Sequence, residues 1–321
     1  MPSSTWRKSF VAALLVASLA VVLAACGSSS KSSSGTTSST GASAAASGPG
    51  VGKPPISMGD KNFTEQNILG ALYAGALRAK GYTVSLKDNI GSTEIIYKTL
   101  TSGQIDMYPE YTGVLLSAVA HKETQPASAQ AAYAEAKAFV EKEGLTLLDM
   151  TPFYDSNILA TLPPYASQHK LASIGDLAPL GKSVKLGGAP EFATRTEGLP
   201  GIKKEYGVDP TFVPVTIELS YKALESGQVN VQSVFSTDGQ LLSGKFKTLT
   251  DPKHVFGFQN VAPVVHKSVL NAEGPAFAET LNKVSALLTI PAIQQMNKAV
   301  TELKQPAATV AEQFLKANGL A

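Results

Sequence analysis

Few residues of this 321-residue chain have the types and spacing that catalysis needs. The four histidines, at 121, 169, 254 and 266, are scattered without a ligand-like spacing, which argues against a structural zinc site. There is no Gly-x-Ser-x-Gly phrase and no evident pairing of a nucleophile with a base. The single cysteine, Cys26, leaves no partner for a disulfide and no set of thiolates for a metal. The chemistry on offer is binding and not catalysis, with no cofactor and no metal implied.

Cys26 itself suggests one covalent event. It follows Leu23-Ala24-Ala25 and precedes Gly27, a phrase that resembles the bacterial lipobox, where the cysteine is acylated and becomes the first mature residue. Arg7 and Lys8 form a basic front, and residues 10–23 form an apolar run of mostly Ala, Val and Leu. That run is shorter than the roughly 20 residues of a membrane span, and it fits a secretory signal over residues 1–25. Residues 26–54 are nearly all Ser, Gly, Ala and Thr, offer no apolar face, and read as a disordered tether. The expected location is extracytoplasmic, lipid-anchored through Cys26 to the outer face of a bacterial membrane. Removing Arg7 and Lys8 leaves 25 basic and 25 acidic residues. Such a balance argues against nucleic acid, which demands a basic excess.

The folded part must position whatever site exists, and its pattern alternates strand and helix. Residues 55–58 read as a strand. Asn62-Phe63-Thr64-Glu65 reads as a capping box, with Asn62 as N-cap, followed by Ile68, Leu69, Leu72, Tyr73 and Leu77 at helical spacing. Strands are expected over 82–86, 105–108, 157–162, 184–188, 212–215 and 229–235. Helices are expected over 92–100, 111–119, 127–144, 194–206 and 217–226, with three more from Pro275 onward. This alternation implies an α/β fold with largely parallel sheet, whose ligands bind beyond the carboxyl ends of the strands.

Five phrases then become recognisable in order: Lys61-Asn62-Phe63-Thr64-Glu65-Gln66, residues 106–113 (Asp-Met-Tyr-Pro-Glu-Tyr-Thr-Gly), Pro190 to Arg195 with Gly198 to Gly201, Ser236-Thr237-Asp238-Gly239, and Val310 to Leu315 with Gly319-Leu320. Together they resemble the substrate-binding lipoproteins of osmoprotectant ABC importers, which bind quaternary amines such as glycine betaine, carnitine and choline. The resemblance implies a two-lobed periplasmic-binding-protein-like (type II) fold with the ligand cleft between the lobes. Lobe one would comprise residues 55–158 plus 263–321, and lobe two residues 159–262. It also implies an ABC permease with its ATPase as partners, a monomeric binding protein, and closure of the lobes about a hinge.

A quaternary ammonium donates no ordinary hydrogen bond, so aromatic faces must hold it. Trp6 falls in the signal, which leaves Tyr and Phe. The resemblance assigns cage positions to Tyr111, Tyr221 and Phe235, an acidic neighbour to Asp155, and the ligand carboxylate to Lys61 and Arg195. Asn157 stands where the family usually has a further cage Tyr, and Val114 where it often has Thr. These departures suggest a bulkier or more polar ligand than glycine betaine, such as carnitine, a histidine betaine or ergothioneine. The alternatives are a lipoprotein that senses such a ligand without importing it, an exported enzyme, or a structural surface lipoprotein.

Overall fold

The computed structural model describes residues 48–321. The expected signal peptide, the lipidation site Cys26 and the tether up to residue 47 lie outside the described residues. Residues 48–54, also expected in the tether, form turns against the end of the first helix, where Gly50 N–H donates to Lys80 O at 3.0 Å.

The first part of the chain runs β1 (Ile56–Gly59), α1 (Thr64–Ala79), β2 (Val84–Lys87), α2 (Thr93–Thr101), β3 (Met107–Tyr111), α3 (Thr112–Val114), a π-helical turn (Leu115–Val119), α4 (Ala129–Glu141) and β4 (Leu145–Leu147). The second part runs β5 (Asn157–Thr161), α5 (Pro163–His169), β6 (Lys185–Gly188), α6 (Leu199–Tyr206), β7 (Thr211–Pro214), α7 (Ser220–Glu225), β8 (Val231–Phe235) and β9 (Lys247–Leu249). The chain ends with β10 (Val261–His266), α8 (Lys267–Glu273), α9 (Pro275–Leu287), α10 (Ile290–Thr301) and α11 (Ala307–Ala317).

The strands form two five-stranded sheets, ordered β2-β1-β3-β10-β4 and β7-β6-β8-β5-β9. In each, a parallel trio is flanked by one strand antiparallel to its neighbours, β10 in the first sheet and β5 in the second. Each of these two strands follows a crossing between the sheets, which makes the lobes topological equivalents although no sequence repeat is visible. Residues 148–156 and 250–260 are the crossings, and they hold each other. Tyr154 pairs with Asn260, Thr151 N–H donates to Val261 O at 2.8 Å, and Asn260 Nδ2 donates to Thr151 O at 3.0 Å. Such a paired double strand can bend as one unit.

The apolar stripe of α1 explains why the tail returns to lobe one. Ile68, Leu69, Leu72, Tyr73 and Leu77 are fully buried, in one cluster with Phe277 and Leu281 of α9, Ile293 of α10 and Leu315 of α11. Gly75 lets α11 approach, since a Cβ there would meet Leu315 Cδ1 at 2.8 Å. Truncating one of these leucines to alanine costs about 2–5 kcal/mol.

Three local expectations are corrected. The N-cap of α1 is Phe63 and not Asn62, no side chain caps it, and Glu65 turns inward to tertiary partners. The helix expected over 194–206 begins at Leu199, because Pro190–Ala193 forms a separate 3-10 turn and Gly198 breaks the run. No strand was expected over Val261–His266, where Pro263 argues against an interior strand, yet β10 is central and Pro263 lies opposite Pro109 of β3.

Candidate functional site

The carboxyl ends of β1, β3, β6 and β8 converge on one cavity between the sheets. Its lining includes Lys61, Phe63, Thr93, Tyr111, Val114, Asp155, Asn157, Arg195, Glu197 and Phe235. Six of the seven ligand-binding residues expected from the sequence therefore share this wall: Lys61, Tyr111, Asp155, Asn157, Arg195 and Phe235. Tyr221 is not among them. It lines an adjoining cavity, its hydroxyl donates to Asp238 Oδ2 at 2.8 Å, and its ring lies 4.8 Å from that of Phe246.

The aromatic ring that accompanies Tyr111 and Phe235 is Phe63. Its ring centroid lies 6.2 Å from Tyr111 and 5.4 Å from Phe235, with interplanar angles of 24° and 19°. This stack bridges the lobes, since Phe63 and Tyr111 belong to the first and Phe235 to the second. Phe63 sits in the turn after β1, at a strand's carboxyl end, and that position was the available signal for it.

Lys61 enters from the same turn. Its Nζ donates to Glu110 Oε1 at 2.6 Å and to Thr93 Oγ1 at 3.1 Å, and lies 4.4 Å from the Tyr111 ring centroid. Burial pushes its ammonium pKa down, while Glu110 opposes that shift. Glu110 is fully buried and also accepts from Tyr111 N–H and from the Tyr108 hydroxyl. With two of its donors committed, Lys61 retains one for a ligand.

Arg195 reaches across from lobe two. Its Nε and Nη2 each donate to Glu94 on α2 at 3.1 Å, leaving Nη1 outside that fork. Burial works to raise the Glu94 carboxyl, but the hydrogen bonds and charge of Arg195, with the Ser92 hydroxyl, hold it at about 2. The positive end of the cavity is thus built from two cations, each already tied to a carboxylate.

The opposite end is acidic. Asp155, in the first crossing, accepts from Ser236 Oγ and Thr237 N–H at 3.3 Å each. Burial, then the nearby Glu65 and Asp238 charges, push its carboxyl well above the usual range. Glu65 is buried as well, and accepts from the Tyr111 hydroxyl at 2.8 Å, Thr237 Oγ1 at 2.5 Å and Asn297 Nδ2 at 2.9 Å. Asp238 is raised to about 6 by burial. Asn157 lies opposite Phe235 in the β5–β8 pair, and its Oδ1 accepts from Ser233 Oγ at 3.0 Å. Val114 donates its N–H to Gln259 Oε1 of the second crossing at 2.9 Å. Among the described residues, no group of three or more His, Cys, Asp or Glu is arranged to hold a metal ion.

Two equivalent α/β lobes, joined by paired crossings around a charged and aromatic cleft, define a two-lobed solute-binding protein. Residues 54–317 match the family described as the substrate binding domain of the ABC-type glycine betaine transport system, and the chain belongs to that family. It is accordingly the substrate-binding component of a glycine betaine-type ABC transporter, in a transport family and not an enzyme family. The chain is 33% identical to a glycine-betaine-binding protein of Pseudomonas aeruginosa, over 83% of this chain and 88% of that one. It is 31% identical to the glycine betaine-binding protein YehZ of Escherichia coli, over 83% and 91% of the two chains. An ergothioneine transport permease/ergothioneine binding protein, EgtU of Helicobacter pylori, is 27% identical over 83% of this chain and 48% of its own. A solved glycine betaine/carnitine/choline ABC transporter protein superposes with a TM-score of 0.67 at 26% identity, covering 83% of this chain and 99% of the other.

Proposed function

We propose that the cleft captures a zwitterionic quaternary amine larger or more polar than glycine betaine, for delivery to an ABC permease from a lipid anchor at Cys26. The observation that carries this reading is the polarity of the cavity around the aromatic stack. Lys61 and Arg195 give its wall two cations, Asp155 an acidic group, and Phe63, Tyr111 and Phe235 a row of stacked rings.

The orientation follows from charge. Lys61 Nζ already lies over the Tyr111 face at 4.4 Å, so a second cation there meets repulsion. The ligand's ammonium therefore belongs toward Phe235 and Asp155, and its carboxylate toward the free donors of Lys61 and Arg195. A desolvated cation–π contact contributes about 2 kcal/mol, so the rings need the help of Asp155 and of the carboxylate end to reach micromolar affinity. Asn157 replaces a possible ring by an amide, which leaves room and polarity for a longer substituent. Tyr221 borders the site from an adjoining cavity that Phe63, Asp155 and Phe235 also line, with its hydroxyl on Asp238.

Calorimetric titration of the purified protein tests this. The panel is glycine betaine, carnitine, choline, proline betaine and ergothioneine, with proline as a control lacking a quaternary nitrogen. The expected result is binding of at least one quaternary zwitterion and none of proline, with the affinity lost in Phe235→Ala. Proline binding as tightly as every quaternary amine contradicts the reading.

A further inference from the structure

Glu197 is the one fully buried cleft-lining carboxylate without a donor among the described residues. It is only 1% exposed, it lines the main cavity, and neither of its oxygens has a hydrogen-bond partner. It lies two residues after Arg195, between the 3-10 turn Pro190–Ala193 and α6.

None of the neighbouring donors reaches it in this structure. Arg195 spends Nε and Nη2 on Glu94. Lys61 is held by Glu110 and Thr93. The Ser117 hydroxyl, from the π-helical turn of lobe one, is directed to Val114 O at 3.5 Å. Burial raises the Glu197 carboxyl, and the Ser117 hydroxyl, close enough to favour the charged form yet beyond full hydrogen-bond geometry, then the Arg195 charge, oppose that only in part. A buried carboxylate with no donor is costly, and the cost is relieved by whatever fills the cavity with an O–H or N–H.

Glycine betaine cannot do this. It carries methyl groups and a carboxylate, so it offers no donor, and its own negative charge is repelled by Glu197. We infer that Glu197 forms a subsite that accepts a hydrogen bond from an O–H or N–H group on the bound ligand, so that the preferred ligand is a quaternary zwitterion with a donor on its side chain. This rests on the quaternary-amine reading above and narrows it. A ligand donor that reaches the carboxylate satisfies it, and a ligand lacking the donor leaves it buried and unpaired.

The test uses pairs in which one member lacks the donor. One pair is carnitine and its deoxy analogue, 4-trimethylammoniobutanoate. The second is histidine betaine and its derivative methylated on the imidazole N–H. Each is titrated into the wild-type protein, Glu197→Gln and Glu197→Ala, with thermal melts to confirm folding. In the wild type, the donor-bearing member of at least one pair binds at least about tenfold more tightly. In Glu197→Ala that preference falls to within about twofold, whatever happens to the absolute affinities. Glu197→Gln, which keeps an acceptor and the shape, retains part of it. Tight binding of these amines with no preference in the wild type overturns the subsite and leaves the quaternary-amine reading standing. A preference that persists undiminished in Glu197→Ala also overturns the subsite. Failure of every quaternary amine to bind overturns both.

Discussion

Arg195 of the second lobe grips Glu94 of the first through a fork of hydrogen bonds, each at 3.1 Å. The pair ties the two lobes together beside the cavity that Arg195 lines. Glu94 is 44% exposed on its side chain, so the contact is worth about 0.2–1 kcal/mol, enough to bias a hinge without locking it.

The pair makes closure acid-sensitive. The Glu94 carboxyl is held at about 2 against an ordinary 4.5, so its contribution is full above the ordinary value and is lost as pH falls toward the depressed one. The distance between labels on the two lobes should therefore lengthen on acidification. Glu94→Gln should be more open at neutral pH and change little with acid. A distance that is constant in the wild type through this range contradicts the assignment.

Asp155 links cation binding to a proton. Burial, then the Glu65 and Asp238 charges, push its carboxyl well above the usual range. A quaternary ammonium beside it favours the charged form and draws that pKa back down, which couples binding to proton release. Affinity should rise with pH, and binding heats should differ between buffers of unlike ionisation enthalpy. Asp155→Asn should abolish the buffer dependence. Equal heats in the wild type would place the ammonium away from Asp155.

The buried Lys61–Glu110 pair supports the fold as well as the site, with side chains 5% and 0% exposed. Lys61→Met strands a buried carboxylate, and should lower unfolding free energy in denaturant by about 3–5 kcal/mol. The double variant Lys61→Met with Glu110→Gln should recover most of that loss. A double variant as unstable as the single one would show that the cost is packing and not charge.

The alternation of strands and helices, and the phrases holding Lys61, Tyr111, Arg195 and Phe235, were legible because each depends on local pattern or a contiguous motif. Glu65 was not. Its position suits a capping box, yet its partners Thr237 and Asn297 are 172 and 232 residues away, and only the folded lobes bring them together. Phe63 was hidden for a similar reason, since a Phe in a helix-entry turn reads as packing until Phe235 arrives from the other lobe. The position of Tyr221 was not legible either: it lines an adjoining cavity shared with Phe63, Asp155 and Phe235, packed against Phe246 and bonded to Asp238. No element was read over β10, an interior strand that carries Pro263 opposite Pro109, a pairing no local pattern shows.

The most direct measurement is a crystal structure of the complex with whichever quaternary zwitterion binds best in calorimetry. The account predicts the ammonium within about 6 Å of the Phe235 ring centroid, on the Asp155 side, and the carboxylate in hydrogen-bond reach of Lys61 Nζ or Arg195 Nη1. An ammonium over Tyr111 with the carboxylate at Asp155, or a ligand seated outside this cavity, would contradict it.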